Sequence, residues 1–228
     1  MTSTIVPAAN AISRRLVLAG LAASLAACQQ TASRDANPET ASPQYADLYP
    51  PLPNEPFPVP GVPQGAIPAR YMRQQVDYAT AEPPGTIVVD PGAKFLYLVQ
   101  ENGKAMRYGV GVGREGFGWN GAATIQMKRV WPRWTPPAEM ILRQPELEEY
   151  RNGMPGGLSN PLGARALYLF QNGRDTLYRL HGTNEPRSIG SNVSSGCVRL
   201  VNQDIIDLFS RVPVGTRVVV LPTAEPTA

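Results

Sequence analysis

One histidine, His181, and one of two cysteines, Cys197, sixteen residues further on, stand in the same polar, glycine-rich segment that runs to Asn202. A nucleophilic thiol needs a base that can take its proton, and this pair supplies both parts. The chemistry that suits them is acyl transfer. The sulfur attacks a carbonyl, an acyl-enzyme forms, and the imidazole handles first the thiol proton and then the proton of an amine. Gly196 permits close backbone approach, so the N–H groups of Gly196 and Cys197 are candidate oxyanion donors. Ser194 or the carbonyl of Gly182 could orient the imidazole.

Two other readings of these residues are weaker. Cysteine is often a small buried hydrophobe, but Ser194-Ser195-Gly196 before Cys197 and Arg199 after it do not read as core. One histidine and one available cysteine leave a zinc site short of ligands, and no ligand spacing is present, so neither metal nor cofactor is expected. The run from Gly109 to Gly116 looks like a nucleotide loop only superficially. It reads as a twisted strand entering a loop.

The chain of 228 residues suggests one domain with appendages. Residues 1–28 have a charged start at Arg14 and Arg15, an apolar run from Leu16 to Leu25, and the close Leu25-Ala26-Ala27-Cys28, the layout of an export signal. The run is too short to cross a bilayer, which needs roughly 20 residues. Its ending resembles a bacterial lipoprotein signal, in which Cys28 is lipidated and the protein is held at the membrane, in the periplasm or cell envelope, by that lipid alone. An ordinary cleavage nearby is the alternative, and Ser13-Arg14-Arg15-Leu16 leaves twin-arginine and general export both open. Without Arg14 and Arg15 the formal charge of +3 falls to +1, which gives no reason to expect nucleic acid as a partner. If lipid caps Cys28, Cys197 is a lone thiol in an oxidising compartment, where structural cysteines come in pairs.

Residues 29–70 carry ten prolines between Pro38 and Pro68 and no sustained apolar period, so they read as a largely disordered, stiffened tether with a reach of at most ~130 Å. Tyr45, Leu48, Tyr49, Leu52, Phe57 and Val59 leave docking on the domain as the competing expectation. Residues 71–222 form the expected folded domain, and 223–228 a tail.

Within that domain, Thr86 to Val89, Phe95 to Gln100, Met106 to Val112, Thr124 to Trp131, Ala166 to Phe170, Leu177 to Leu180 and Thr216 to Leu221 read as strands. Asn102-Gly103 and Asn172-Gly173 read as turns, the first a hairpin. Asn202 is a good N-cap for a helix whose apolar face is Ile205, Ile206, Leu208, Phe209 and Val212. Short helices are expected at Pro137 to Leu142 and Pro145 to Tyr150. The fold class is therefore mainly β, a sandwich or barrel with a few helices.

The order His181, then Ser194-Ser195-Gly196-Cys197-Val198-Arg199, resembles the signature of the L,D-transpeptidase catalytic domain family of bacterial cell walls. It is the reverse of papain-like enzymes, where cysteine comes first. The resemblance continues in Asn160-Pro161-Leu162-Gly163, in the strand from Gly85 to Asp90 and around Trp134 to Pro137. It implies a β-rich enzyme acting on peptidoglycan stem peptides, with Cys197 as nucleophile, His181 as base, and Ser194 and Gly182 orienting that base. D-alanine would leave, and an amine of a neighbouring stem would resolve the thioester. Water or a protein amine as acceptor, and an idle wall-binding lipoprotein, are the alternatives. Arg199 would meet a substrate carboxylate or brace the loop; Asn184 and Ser195 are further substrate-side candidates, although Asn184, like Asn160, could simply hold a loop. Ser195 stands where many members carry a second histidine, which leaves His181 as the sole base. The resemblance also implies acylation of Cys197 by carbapenem-type β-lactams.

Overall fold

The computed structural model describes residues 43–113, 119–194 and 197–223. Cys28, Ser195, Gly196 and residues 224–228 lie outside them. Among the described residues, eleven strands and three α-helices follow one another. They are α1 (Pro43–Leu48), β1 (Gln74–Asp77), β2 (Ile87–Asp90), β3 (Phe95–Val99), β4 (Lys104–Gly109), β5 (Val112–Gly113), β6 (Gly121–Val130), α2 (Ala138–Arg143), β7 (Arg165–Gln171), β8 (Arg174–Thr183), β9 (Asn192–Ser194), β10 (Val198–Val201), α3 (Asn202–Arg211) and β11 (Arg217–Val220). No described helix is long and apolar enough to cross a membrane.

Nine strands make one mixed sheet in the order β1-β4-β3-β2-β11-β6-β7-β8-β10, and β5 pairs with β9 separately. The expected strands are all present, and the domain is mainly β. Two turns are built as their residues dictate, with positive φ at both Asn102 and Gly103 and at both Asn172 and Gly173. The sheet is antiparallel except where β11 runs parallel to β2 and β10 runs parallel to β8.

A single apolar cluster takes Ile87, Leu96 and Tyr108 from one half of the sheet, Ile125, Leu167, Leu180 and Leu200 from the other, and Ile205 and Leu208 from α3. Side chains that far apart in strand order can meet only if the sheet curves around the helix. The C-terminal end of α3 is closed by Lys128, whose Nζ donates to the carbonyls of Phe209 and Val212 at 2.7 and 2.6 Å.

The N-terminal end of α3 differs from expectation. Asn202 does not cap its helix. Its Oδ1 accepts instead from the Ala164 N–H at 2.9 Å, and Val201 precedes the helix in extended conformation with no side-chain cap.

The tether expectation also needs correcting over residues 43–70. Tyr45 and Tyr49 of α1 are buried with Ile67, Ile189 and Val201. Tyr49 Oη accepts from the Arg73 N–H at 2.8 Å and donates to Asp204 at 3.4 Å. Glu55 receives both Arg165 terminal nitrogens, at 2.6 and 2.9 Å, and Trp131 Nε1 at 3.0 Å. Proline has no N–H to satisfy, so an extended proline-rich strand needs partners only for its carbonyls. Gln203 supplies them, donating Nε2 to Pro50 and Pro60 at 3.1 and 2.9 Å. The aromatic residues thus make this stretch a strap across α3.

Candidate active site

The site is assembled by the parallel register of β8 and β10, in which Val198 lies beside Leu180 and Arg199 beside His181. Successive side chains of a strand point to opposite faces. Leu180, Val198 and Leu200 enter the core, where none has exposed surface. His181 and Arg199 share the other face, and Cys197, one residue before β10, comes level with Arg179. On the far side of β8, Ala166 of β7 lies opposite His181 and Tyr168 opposite Arg179. Alanine at 166 leaves width for the imidazole.

His181 is buried, and its Nδ1 lies 2.7 Å from the Gly182 carbonyl oxygen. That oxygen can only accept, so the proton of the neutral ring sits on Nδ1 and Nε2 keeps its lone pair. Burial pushes the His181 pKa down to about 4; the Gly182 hydrogen bond opposes this, and the Arg199 and Arg179 charges add to it. The imidazole is therefore neutral at pH 7. Gly182 must itself be glycine, because a Cβ there would collide with Asn202 Oδ1 and crowd the Ala164 nitrogen. The bond from the Ala164 N–H to Asn202 Oδ1 thus runs against the backbone of Gly182.

Cys197 is half-buried. Its Sγ lies 3.9 Å from the Leu177 carbonyl oxygen. Burial pushes the Cys197 thiol up; the backbone N–H of Arg179 and the guanidiniums of Arg179 and Arg199 pull it back, and Asp175 adds to the rise. Both partners are thus displaced toward their neutral forms. The resting forms of the two side chains are thiol and imidazole.

Arg199 donates to Glu185 Oε2 at 2.9 Å. Glu185 is largely exposed, so this is a bond that an incoming carboxylate can replace. Asn184 donates to the Leu158 carbonyl at 2.9 Å, linking the loop after β8 to the loop before β7. Asn160 is fully buried and organises that second loop. Its Nδ2 donates to the carbonyls of Pro132, Met154 and Pro155, and its Oδ1 accepts from the Leu162 N–H. Ser194 is placed on β9 beside Gly113. No group of three or more metal-binding side chains occurs among the described residues.

Sequence reasoning missed Arg179, Asp175 and Tyr168. Asp175 holds the Arg179 guanidinium through two bonds of 2.7 Å, and that guanidinium lies 4.3 Å from the Tyr168 ring centre. The alternation Arg179–Leu180–His181 was the available sign, since it puts Arg179 on the histidine's face.

Comparison with known proteins identifies the family. The family model of the YkuD L,D-transpeptidase catalytic domain matches residues 84–220, from just before β2 to the end of β11. Probable L,D-transpeptidase YbiS of Escherichia coli K12 is 37% identical over 143 residues, covering 59% of this chain and 43% of that protein. Putative L,D-transpeptidase YkuD of Bacillus subtilis is 37% identical over 137 residues, covering 60% of this chain and 66% of that protein. The match therefore spans less than half the length of YbiS. A solved chain from Brucella melitensis, described as a probable carnitine operon oxidoreductase, is 51% identical with a TM-score of 0.48, covering 68% of this chain and 97% of that one. Since the family model takes in more than half of the chain, and both Cys197 and His181 with it, the chain belongs to the L,D-transpeptidase catalytic domain family.

Proposed function

We propose that the protein is an exported cysteine L,D-transpeptidase that acts on peptidoglycan stem tetrapeptides and is anchored to the membrane by lipid on Cys28. Sγ of Cys197 attacks the carbonyl between the L-centre of the third residue, a diamino acid, and the following D-alanine. Nε2 of His181 takes the thiol proton as the S–C bond forms and gives it to the departing amine. D-alanine leaves and a thioester remains. An amine of a neighbouring stem then attacks the thioester carbonyl and loses its proton to Nε2. The sulfur departs as the new amide links two third residues, a 3-3 cross-link.

The observation that carries this reading is the Nδ1 contact of His181 with Gly182, because it frees Nε2 on the face that β8 shares with Cys197. The low His181 pKa supports it further, since a base must be unprotonated to act. Export and lipidation rest on the Arg14-Arg15 start, the apolar run and the Leu25-Ala26-Ala27-Cys28 ending.

Intact-mass analysis after incubation with a purified disaccharide-tetrapeptide tests the reading, with Cys197→Ala as the control. A thioester adduct, free D-alanine and a cross-linked dimer are expected, all absent from the variant. Tripeptide as the sole product would make the enzyme a carboxypeptidase. A folded protein with no adduct would make it a wall-binding module.

A further inference from the structure

Strand β8 is bulged just before the base. Tyr168 lies opposite Arg179 and Phe170 opposite Asp175, so two steps along β7 are matched by four along β8. The extra backbone carries Leu177 at φ 64°, a conformation unfavourable for leucine, with its side chain largely exposed. Neither feature serves packing. Each step of the bulge is fastened by a side chain. Thr176 Oγ1 donates to the Leu169 carbonyl at 2.7 Å and accepts from the Tyr178 N–H at 3.2 Å. Asp175 Oδ1 accepts from the Leu177 N–H at 2.8 Å, and the same carboxylate holds both Arg179 terminal nitrogens.

The two backbone groups that this bulge presents, the Leu177 carbonyl and the Arg179 N–H, both face the Cys197 sulfur. We propose that Asp175 is a positioning residue for the nucleophile: by fixing the bulge and the Arg179 fork together, it holds the Arg179 N–H and guanidinium on Sγ of Cys197. The inference rests on Cys197 being the nucleophile of the proposed acyl transfer. The ionisable groups acting on the thiol are Asp175, Tyr178 and Arg179 of β8 and Arg199 of β10, which pairs with His181; Tyr168 of β7 lies against the Arg179 guanidinium.

Two effects of Asp175 on the thiol have opposite signs, which makes the role testable. Its negative charge disfavours the thiolate, so if charge were its whole role, Asp175→Asn would make Cys197 more acidic. Its grip on Arg179 favours the thiolate, and the Arg179 contributions outrank the Asp175 charge.

The experiment is iodoacetamide alkylation of the full chain from pH 5 to 10, with the Cys197 peptide followed by mass so that Cys28 is not counted. Asp175→Asn is expected to move the midpoint up by about one pH unit and to slow alkylation at pH 7 about tenfold. Arg179→Lys keeps the charge and the N–H but loses the fork, so it should move the midpoint in the same direction by less. An unmoved or lowered midpoint in a folded Asp175→Asn protein overturns the proposal. If that variant does not fold, an unmoved midpoint in Arg179→Lys overturns it instead. Iodoacetamide needs no stem peptide, so the profile is read whether or not transpeptidation is found. A protein that cross-links stems but shows an unmoved profile loses only the positioning role of Asp175.

Discussion

Nδ1 of His181 and the carbonyl oxygen of Gly182, its own neighbour in the chain, are 2.7 Å apart, so the imidazole is oriented by the backbone of the strand that carries it. Together with burial, this fixes which pH range the site tolerates. The folded pKa of His181 is about 4, below its ordinary value, so the ring stays unprotonated until the solution becomes markedly acidic. Carbapenem acylation of the full chain, followed by mass against pH, should therefore lose rate around pH 4. A loss centred near pH 6.5 would show that the ring is an ordinary solvated imidazole.

Replacing that ring leaves no substitute, because His181 is the one histidine in the sequence. His181→Asn should slow acylation by about 10²–10⁴-fold, the usual contribution of a general base. Cys197→Ala should abolish adduct formation while shifting stability by no more than ~1 kcal/mol. Circular dichroism melts of both variants separate loss of chemistry from loss of fold.

Gly182→Ala tests the packing against the strand next to His181. The added methyl meets Asn202 Oδ1 and the Ala164 nitrogen, so either the bond between them or the path of β8 must give. A destabilisation of ~1–3 kcal/mol is expected, the ordinary cost of overpacking a filled site. Acylation should slow as well, since the same strand carries His181. Urea unfolding measured beside acylation kinetics reads both effects.

The strap makes a prediction about domain limits. A chain beginning at residue 71 lacks Tyr45, Tyr49 and Glu55, and with them two buried aromatic side chains and the half-buried partner of Arg165. It should be less stable than one beginning at residue 43 by at least ~3 kcal/mol, at roughly 1.5–3 kcal/mol per large buried side chain. Equal urea midpoints for the two chains would show that the strap contributes nothing.

Under the strap, Asp204 gives stability a pH dependence. Burial raises its pKa to about 7; Arg73 opposes this and Asp207 reinforces it. With a folded pKa above the unfolded value, the native state binds more protons between about pH 4 and pH 7, so this contribution is lost as pH rises through that window. Relative to Asp204→Asn, the melting temperature of the wild type should fall between pH 5 and pH 7.5. A constant difference across that range would show that Asp204 is ionised throughout.

Much of the architecture could be read from local pattern. Phe95 to Val99 and Lys104 to Gly109 announce a hairpin because Asn102-Gly103 admits one tight turn and little else. His181 and Cys197 stand out because each is nearly unique in its type. What escaped reading depends on pairing across long stretches of chain. Arg179 looks like any surface arginine until β10 is laid beside β8, and Asp175 gains its role only through a bulge that periodicity cannot show. Asn202 has the residue type of a cap, yet the Ala164 N–H, 38 positions away, takes its oxygen. Composition favoured a loose tether at residues 43–70, but composition does not reveal that Gln203 awaits its carbonyls and Arg165 the carboxylate of Glu55.

The position of β11 has a consequence for how the chain becomes a domain. In the nine-stranded sheet, β11 is the only link between the half that ends in β2 and the half that begins at β6. Val219 pairs with Val88 on one side and Ala122 on the other, so the last strand made is the one that joins two earlier halves. Contacts this distant in sequence form late and slowly. Until β11 has paired on both sides, the nine-stranded sheet is therefore two separate half-sheets, and the core that α3 shares with both of them is incomplete.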